Sequence, residues 1–284
     1  MELVSGDGAQ LAMLALAMAG AGVFAGFMAG LLGVGGGIVI VPAVFEVLRV
    51  MDSAPEVRMH VAVGTSLATI VATALRSTRA HQRRGAVDGA LLRRWGPAVL
   101  AGVALGSAVS GFVTGRVLTG IFGSVAIVVA IYMATLGNRA RLANRLPGEP
   151  IKSFLGVIVG LISSLMGIGG GSLSVPILSL CSYPMRYAVG TSAAIGLIIA
   201  VPGTIGFMIA GWGAPGLPPF SLGFVNPVAF AAIVPTTVLV APWGARAAHA
   251  IPQTLLRGLF AGFLCVMGGR MLLETAGVPL FGGG

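Results

Sequence analysis

Two glycine runs and two pairs of hydroxyls carry the chemistry open to this chain. Gly33-Val34-Gly35-Gly36-Gly37 recurs 134 positions later as Gly167-Ile168-Gly169-Gly170-Gly171, and each run is followed at the same distance by a proline, Pro42 and Pro176. Glycine in a helix interior costs roughly 1 kcal/mol relative to alanine, so each run should break a helix. A helix resuming after the break, at Ile38 and at Ser172, presents backbone N–H groups without intrahelical partners and the positive end of its dipole. Such a terminus favours an anion, and glycine lets a ligand approach the backbone. Gly35, Gly36, Gly37, Gly169, Gly170 and Gly171 are therefore candidate anion-binding positions. Gly64-Thr65-Ser66 and Gly190-Thr191-Ser192 recur at an offset of 126, and Ser172 adds a hydroxyl at the second break. Hydroxyl donors suit an oxyanion that must also be released.

Each feature has a plainer alternative. Small residues let helices pack closely, and Ser or Thr can bond back to a helix carbonyl. A nucleotide phosphate loop would need a preceding strand and a βαβ unit, which the sequence lacks. No carboxylate falls inside an apolar run, since Glu46, Asp88 and Glu274 sit at ends or in loops. Intramembrane acids are the usual carriers of coupled protons or sodium. His60, near a helix start, and His81 and His249, in loops, are the candidates for proton coupling, against the plainer reading of inert histidines at helix ends. Arg58, Arg76 and Arg186 border the proposed cavity and read as topology markers. Trp95, Trp212 and Trp243 read as interface anchors. No metal site or cofactor is expected.

The elements that must position these groups are membrane helices. The chain has 284 residues, 56% hydrophobic and 9% charged, with mean hydropathy +0.99. Soluble domains carry about 25% charged residues. From Tyr187 to Ala245 there are 59 consecutive residues with no Asp, Glu, Lys, Arg or His. Roughly 20 apolar residues span a bilayer as a helix. The fold class is thus an all-α polytopic membrane protein, forming a single transmembrane domain over 1–284. The net charge of +9 sits in short segments between apolar runs, where topology and anionic headgroups account for it without nucleic acid. Long apolar runs cover 11–32, 60–76, 95–115, 117–138, 153–166, 187–210, 222–245 and 251–273, with shorter pieces at 38–50 and 172–182.

Basic residues orient the chain. Six arginines between Arg76 and Arg94, and four basic residues between Arg139 and Lys152, mark the cytoplasmic side. The uncharged loop 210–222 then falls outside, so 153–182 enters and leaves on the cytoplasmic side as a hairpin turning at the second glycine run. The matching argument makes 11–50 a hairpin from the outside. The expectation is two inverted repeats, about 11–138 and 153–273, each a broken re-entrant hairpin plus three transmembrane helices. Only Arg49, Arg58, Arg116 and Arg270 of the 17 Lys and Arg residues then lie outside. Paired breaks in matched halves point to a substrate site in a secondary transporter.

The duplicated glycine tips with their prolines, the paired Gly-Thr-Ser motifs and the stretch Val240-Ala241-Pro242-Trp243-Gly244-Ala245-Arg246 resemble the sulfite exporter TauE/SafE family over about residues 12–273. The resemblance implies an inner-membrane secondary carrier for a small sulfur-containing anion such as sulfite, sulfoacetate or a related sulfonate. It carries over the glycine tips, Thr65, Ser66, Thr191 and Ser192 as substrate-facing. The tips are unequal, because Ile38 stands where the second copy has Ser172. An anion channel lined by the same tips is the alternative. A hydrolase using Ser172 fits worse, because no histidine lies at that depth. The substrate, a coupled proton or sodium ion, and the oligomeric state are left open.

Overall fold

In hydrocarbon every backbone amide must be satisfied within its own segment or buried in protein, so apolar runs fold as helices. The computed structural model describes residues 3–32, 36–135, 146–250 and 252–277. Ten helices lie among them: α1 (Leu3–Leu32), α2 (Gly37–Val50), α3 (Pro55–Arg83), α4 (Gly89–Ser110), α5 (Gly115–Thr135), α6 (Ile151–Met166), α7 (Gly170–Leu180), α8 (Met185–Ala210), α9 (Pro227–Ala250) and α10 (Gln253–Thr275). Six of them, α1, α3, α5, α8, α9 and α10, are long and apolar enough to cross a membrane. The protein is a multi-pass membrane protein. Among the described residues there is no strand, only an isolated bridge between Leu222 and Val225.

The packing repeats when the first five helices are exchanged for the last five. α3 packs on α8 and α5 on α10; α2 lies on α3 as α7 lies on α8; and α1 packs on α9 as α6 packs on α4. Glycines at matched positions make the last two contacts. A Cβ at Gly160 of α6 would lie 2.0 Å from the Val99 carbonyl oxygen of α4, and one at Gly26 of α1 would lie 2.6 Å from Cα of Thr237 in α9. Gly26 and Gly160 are separated by 134 residues, the offset of the glycine runs. α3 forms the axis of the bundle, with 83% of its apolar stretch buried against 22–39% in the other five spanning helices.

Several local expectations change. α3 continues past the apolar run 60–76 to Arg83, which places His81 in its last turn and not in a loop. Arginine and alanine are strong helix formers, so the helix outruns the hydrocarbon. Trp95 is no interface anchor. It is 1% exposed, packs over Gly156, and donates its indole N–H to the Lys152 carbonyl at 2.8 Å. Trp212 and Trp243 are exposed, at 74% and 68%. The helices after the glycine runs begin at Gly37 and Gly170, before Ile38 and Ser172.

Candidate functional site at the paired helix breaks

The second break is built by its glycines. Gly167 ends α6 at φ +64°, a left-handed conformation that costs glycine little. Its N–H donates to the Ser164 carbonyl and that of Ile168 to the Ser163 carbonyl, at 3.3 and 3.0 Å, which satisfies the last carbonyls of α6. Gly169 is extended and precedes α7 with no side chain to cap it. The first amides of α7 thus have no side-chain cap. The start of α2 meets this break directly: a Cβ at Gly37 would lie 2.7 Å from the Gly167 carbonyl oxygen. Gly35 lies outside the described residues.

A cavity of about 290 Å³ opens over the break. Gly36, Gly169, Gly170 and Gly171 form its closed end, together with Ser192 and Gly196 of α8. Half-buried Thr73, Ser77 and His81 of α3 carry the lining on to the last turn of that helix, and buried Thr237 of α9 also lines it. Among the described residues that line it, none is Asp, Glu, Lys or Arg. Ser192 is fully buried, and among the described residues its Oγ has no hydrogen-bond partner. Buried polar groups are nearly always partnered, so this hydroxyl keeps a free hydrogen-bonding capacity beside the cavity, as do the Oγ atoms of Ser163 and Ser174 close to the same break. At roughly 30 Å³ per water, the volume suits a small oxyanion with a few waters. Ser172 is buried in the first turn of α7 and does not line the cavity. Among the described residues no group of three His, Cys, Asp or Glu side chains could hold a metal ion.

The two Gly-Thr-Ser motifs divide their labour in the same way. A Cβ at Gly64 would lie 2.3 Å from the Phe224 carbonyl oxygen, and one at Gly190 would lie 2.1 Å from that of Ala86. Each glycine therefore admits the chain that enters a helix of the other half. The neighbouring threonine then holds that helix start: Thr65 Oγ1 accepts the Asn226 N–H at 3.0 Å, and Thr191 Oγ1 accepts the Asp88 N–H at 2.9 Å. Asn226 caps α9 through the Ala229 N–H, and Asp88 caps α4 through the N–H groups of Ala90 and Leu91. The serines do not match. Ser66 donates to the Gly167 carbonyl at 2.7 Å and ties the break to α3, whereas Ser192, a residue of the cavity lining, is unpartnered among the described residues.

Asp88 also accepts from the Tyr183 hydroxyl, in the connection between α7 and α8. That bond, with the two cap amides, holds the Asp88 carboxyl below the usual carboxylate range, while burial and the same bond push the Tyr183 phenol up. Asp88→Ala is expected to lower stability by about 1–2 kcal/mol through loss of the cap, read by thermal unfolding. A carboxyl lowered in the folded state stabilises at pH values above its unfolded value of about 3.9, and that contribution fades as pH falls through the folded value. The gap between wild type and Asp88→Ala should therefore be constant near neutrality and narrow below about pH 4.

The family model of the sulfite exporter TauE/SafE family matches residues 18–271. The chain belongs to that family. This TauE/SafE chain is 33% identical over 257 residues to a probable membrane transporter protein of Haemophilus influenzae, covering 89% of this chain and 96% of that protein. It is 28% identical over 265 residues to one of Methanocaldococcus jannaschii, covering 89% and 93%. It is 32% identical over 212 residues to the probable membrane transporter protein YunE of Bacillus subtilis, covering 67% and 77%. No solved structure matches. The TauE/SafE chain is a membrane transporter, and its helix breaks lie at the closed end of a cavity that reaches one end of the bundle. Sequence reading missed Thr73 and Ser77 and placed His81 in a loop, although the spacing of four that joins them along α3 is a helical signal. It was cut off with the apolar run.

Proposed function

We propose that this protein is a secondary transporter that moves a small sulfur-containing anion, such as sulfite, sulfoacetate or a related sulfonate, across the inner membrane by alternating access. One observation carries the reading: the uncapped start of α7 and the unpartnered Ser192 hydroxyl meet at the closed end of a cavity lined by no carboxylate. Amide dipoles and a hydroxyl bind an oxyanion without the strong ion pair that would oppose release. The arginine-rich segment after His81 makes the mouth cytoplasmic, so this conformation is open inward.

The exchange of packing partners supports a two-fold repeat, and the distribution of basic residues supports its inversion with re-entrant breaks, while α1, at 30 residues, is also long enough to cross fully. In an inverted pair the outward-open state arises when the halves trade conformations. Ser66 would then release Gly167 and face the ligand, while Ser192 would take over closure. Thr65 and Thr191 hold the helix starts in both states. Gly37 against Gly167, with the Ser66 bond, closes the path beyond the cavity and favours a carrier over a channel.

A thermal-shift screen of the purified protein against sulfite, thiosulfate, sulfoacetate, taurine and carboxylates tests the ligand class. The bound anion, at ten times its Kd, should stabilise by about 1.4 kcal/mol, or roughly 3 °C. In proteoliposomes, substrate on the trans side should accelerate uptake. A flat screen would overturn the anion site, and uptake indifferent to trans substrate would favour the channel.

A further inference from the structure

His60 lies in α3 one turn before Gly64 and is 4% exposed. Its ring stacks on Phe224, in the connection between α8 and α9, with centroids 4.6 Å apart. Nδ1 lies 3.2 Å from the Glu56 carbonyl oxygen, and Nε2 lies 2.9 Å from that of Val113 and 3.2 Å from that of Ser110, at the turn between α4 and α5. Both ring nitrogens therefore face acceptors. A neutral imidazole has a single N–H and leaves one nitrogen lone pair against a carbonyl; an imidazolium donates from both.

The other half shows what this position does. At the motif offset of 126, His60 corresponds to Arg186, and the flanking Met59, Ala62 and Val63 correspond to Met185, Ala188 and Val189. Arg186 donates to the Arg84 carbonyl, in the connection between α3 and α4. Matched positions thus grip carbonyls outside their own helix, one with a permanent cation and one with a titratable group. His60 also borders a second cavity, of about 330 Å³, at the start of α3 and far from the mouth at His81. That cavity gives water and protons a route to the ring. The charged groups facing it are Glu56 of α3 and Arg116 of α5. The end of α4 and the connection between α8 and α9 carry none, and Arg58 turns away to Glu274 of α10.

We propose that His60 is a proton-binding site that latches the end of the bundle opposite the open cavity. Protonated, it holds the turn between α4 and α5 and its own helix together; deprotonated, it releases one of them. Within the alternating-access reading, on which this inference rests, a proton taken from the second cavity favours the inward-open state. The test is the reactivity of a cysteine behind the latch, Ser110→Cys, with Cys181→Ala and Cys265→Ala, normalised to an exposed reference at Pro215→Cys. The normalised rate should rise at least about fivefold between about pH 4.5 and about pH 8, a window that extends well below the ordinary imidazole value. It should stay slow at both pH values in His60→Arg and fast at both in His60→Gln. A rate independent of pH in the otherwise native chain, or a pH dependence that survives His60→Arg, overturns the latch. If neither variant folds, the pH titration with His60 in place decides alone. The measurement needs no substrate, so loss of counterflow with a working latch would count against the transport reading, and the reverse result against the latch.

Discussion

Alanine at Gly160 or at Gly26 is expected to cost more than about 3 kcal/mol of stability, whereas alanine at Gly20 is expected to be neutral or stabilising by up to about 1 kcal/mol. All three substitutions add one methyl group to a helix. At Gly160 it would meet the Val99 carbonyl oxygen at 2.0 Å, and at Gly26 it would meet Cα of Thr237 at 2.6 Å. Both obstacles are backbone, which cannot rotate away, so α6 and α4, or α1 and α9, must move apart along their length. Membrane helices associate through close packing, and that loss is spread over the whole interface. At Gly20 nothing lies within 4 Å, and only the gain in helix propensity remains. Thermal unfolding in detergent should show Tm lower by roughly 6–12 °C for Gly26→Ala and unchanged or higher for Gly20→Ala. Equal Tm values for these two variants of one helix would refute the close-packed interface.

Ser192→Ala is expected to weaken anion binding about 10- to 100-fold with little change in stability, and Thr191→Val to do the opposite. The Ser192 hydroxyl has no protein partner to lose, so its removal costs the fold little. A hydrogen bond to a charged group is worth about 1.5–3 kcal/mol, which sets the loss of affinity. Thr191 spends its acceptor on the Asp88 N–H, 103 residues away, and valine would strand that amide. Leaving a buried donor unsatisfied costs about 1–3 kcal/mol. Anion-dependent thermal shift and basal Tm separate the two effects. An unchanged Kd in Ser192→Ala would remove the hydroxyl from the site.

What could be read from sequence depended on how far each cause lay along the chain. The break at Gly167 was legible because glycine in an apolar run is a local signal, and the left-handed turn there is a property of that residue. The Gly-Thr-Ser motifs were legible as a repeat but not in their roles. Whether a hydroxyl serves a helix start or a ligand depends on the opposite half, and Asn226 is 161 residues from Thr65. Trp95 misled for the same reason: its pocket is made by Gly156, on another helix. Ser77 was missed and His81 misplaced in a loop because hydropathy ends where lipid ends, while the helix continues. His60 was legible as a titratable group near a helix start but not as a buried one, since its three carbonyl partners leave no trace in side-chain chemistry.

The crossed threonine bonds also set an order of assembly. Thr191 finds Asp88 already made when α8 is synthesised, but Thr65 must wait, unpaired, until Asn226 leaves the ribosome. The first half therefore enters the membrane with its axial helix unfinished. The start of α9 is the step that closes it, so a chain that stops before residue 226 lacks a part of its own first half.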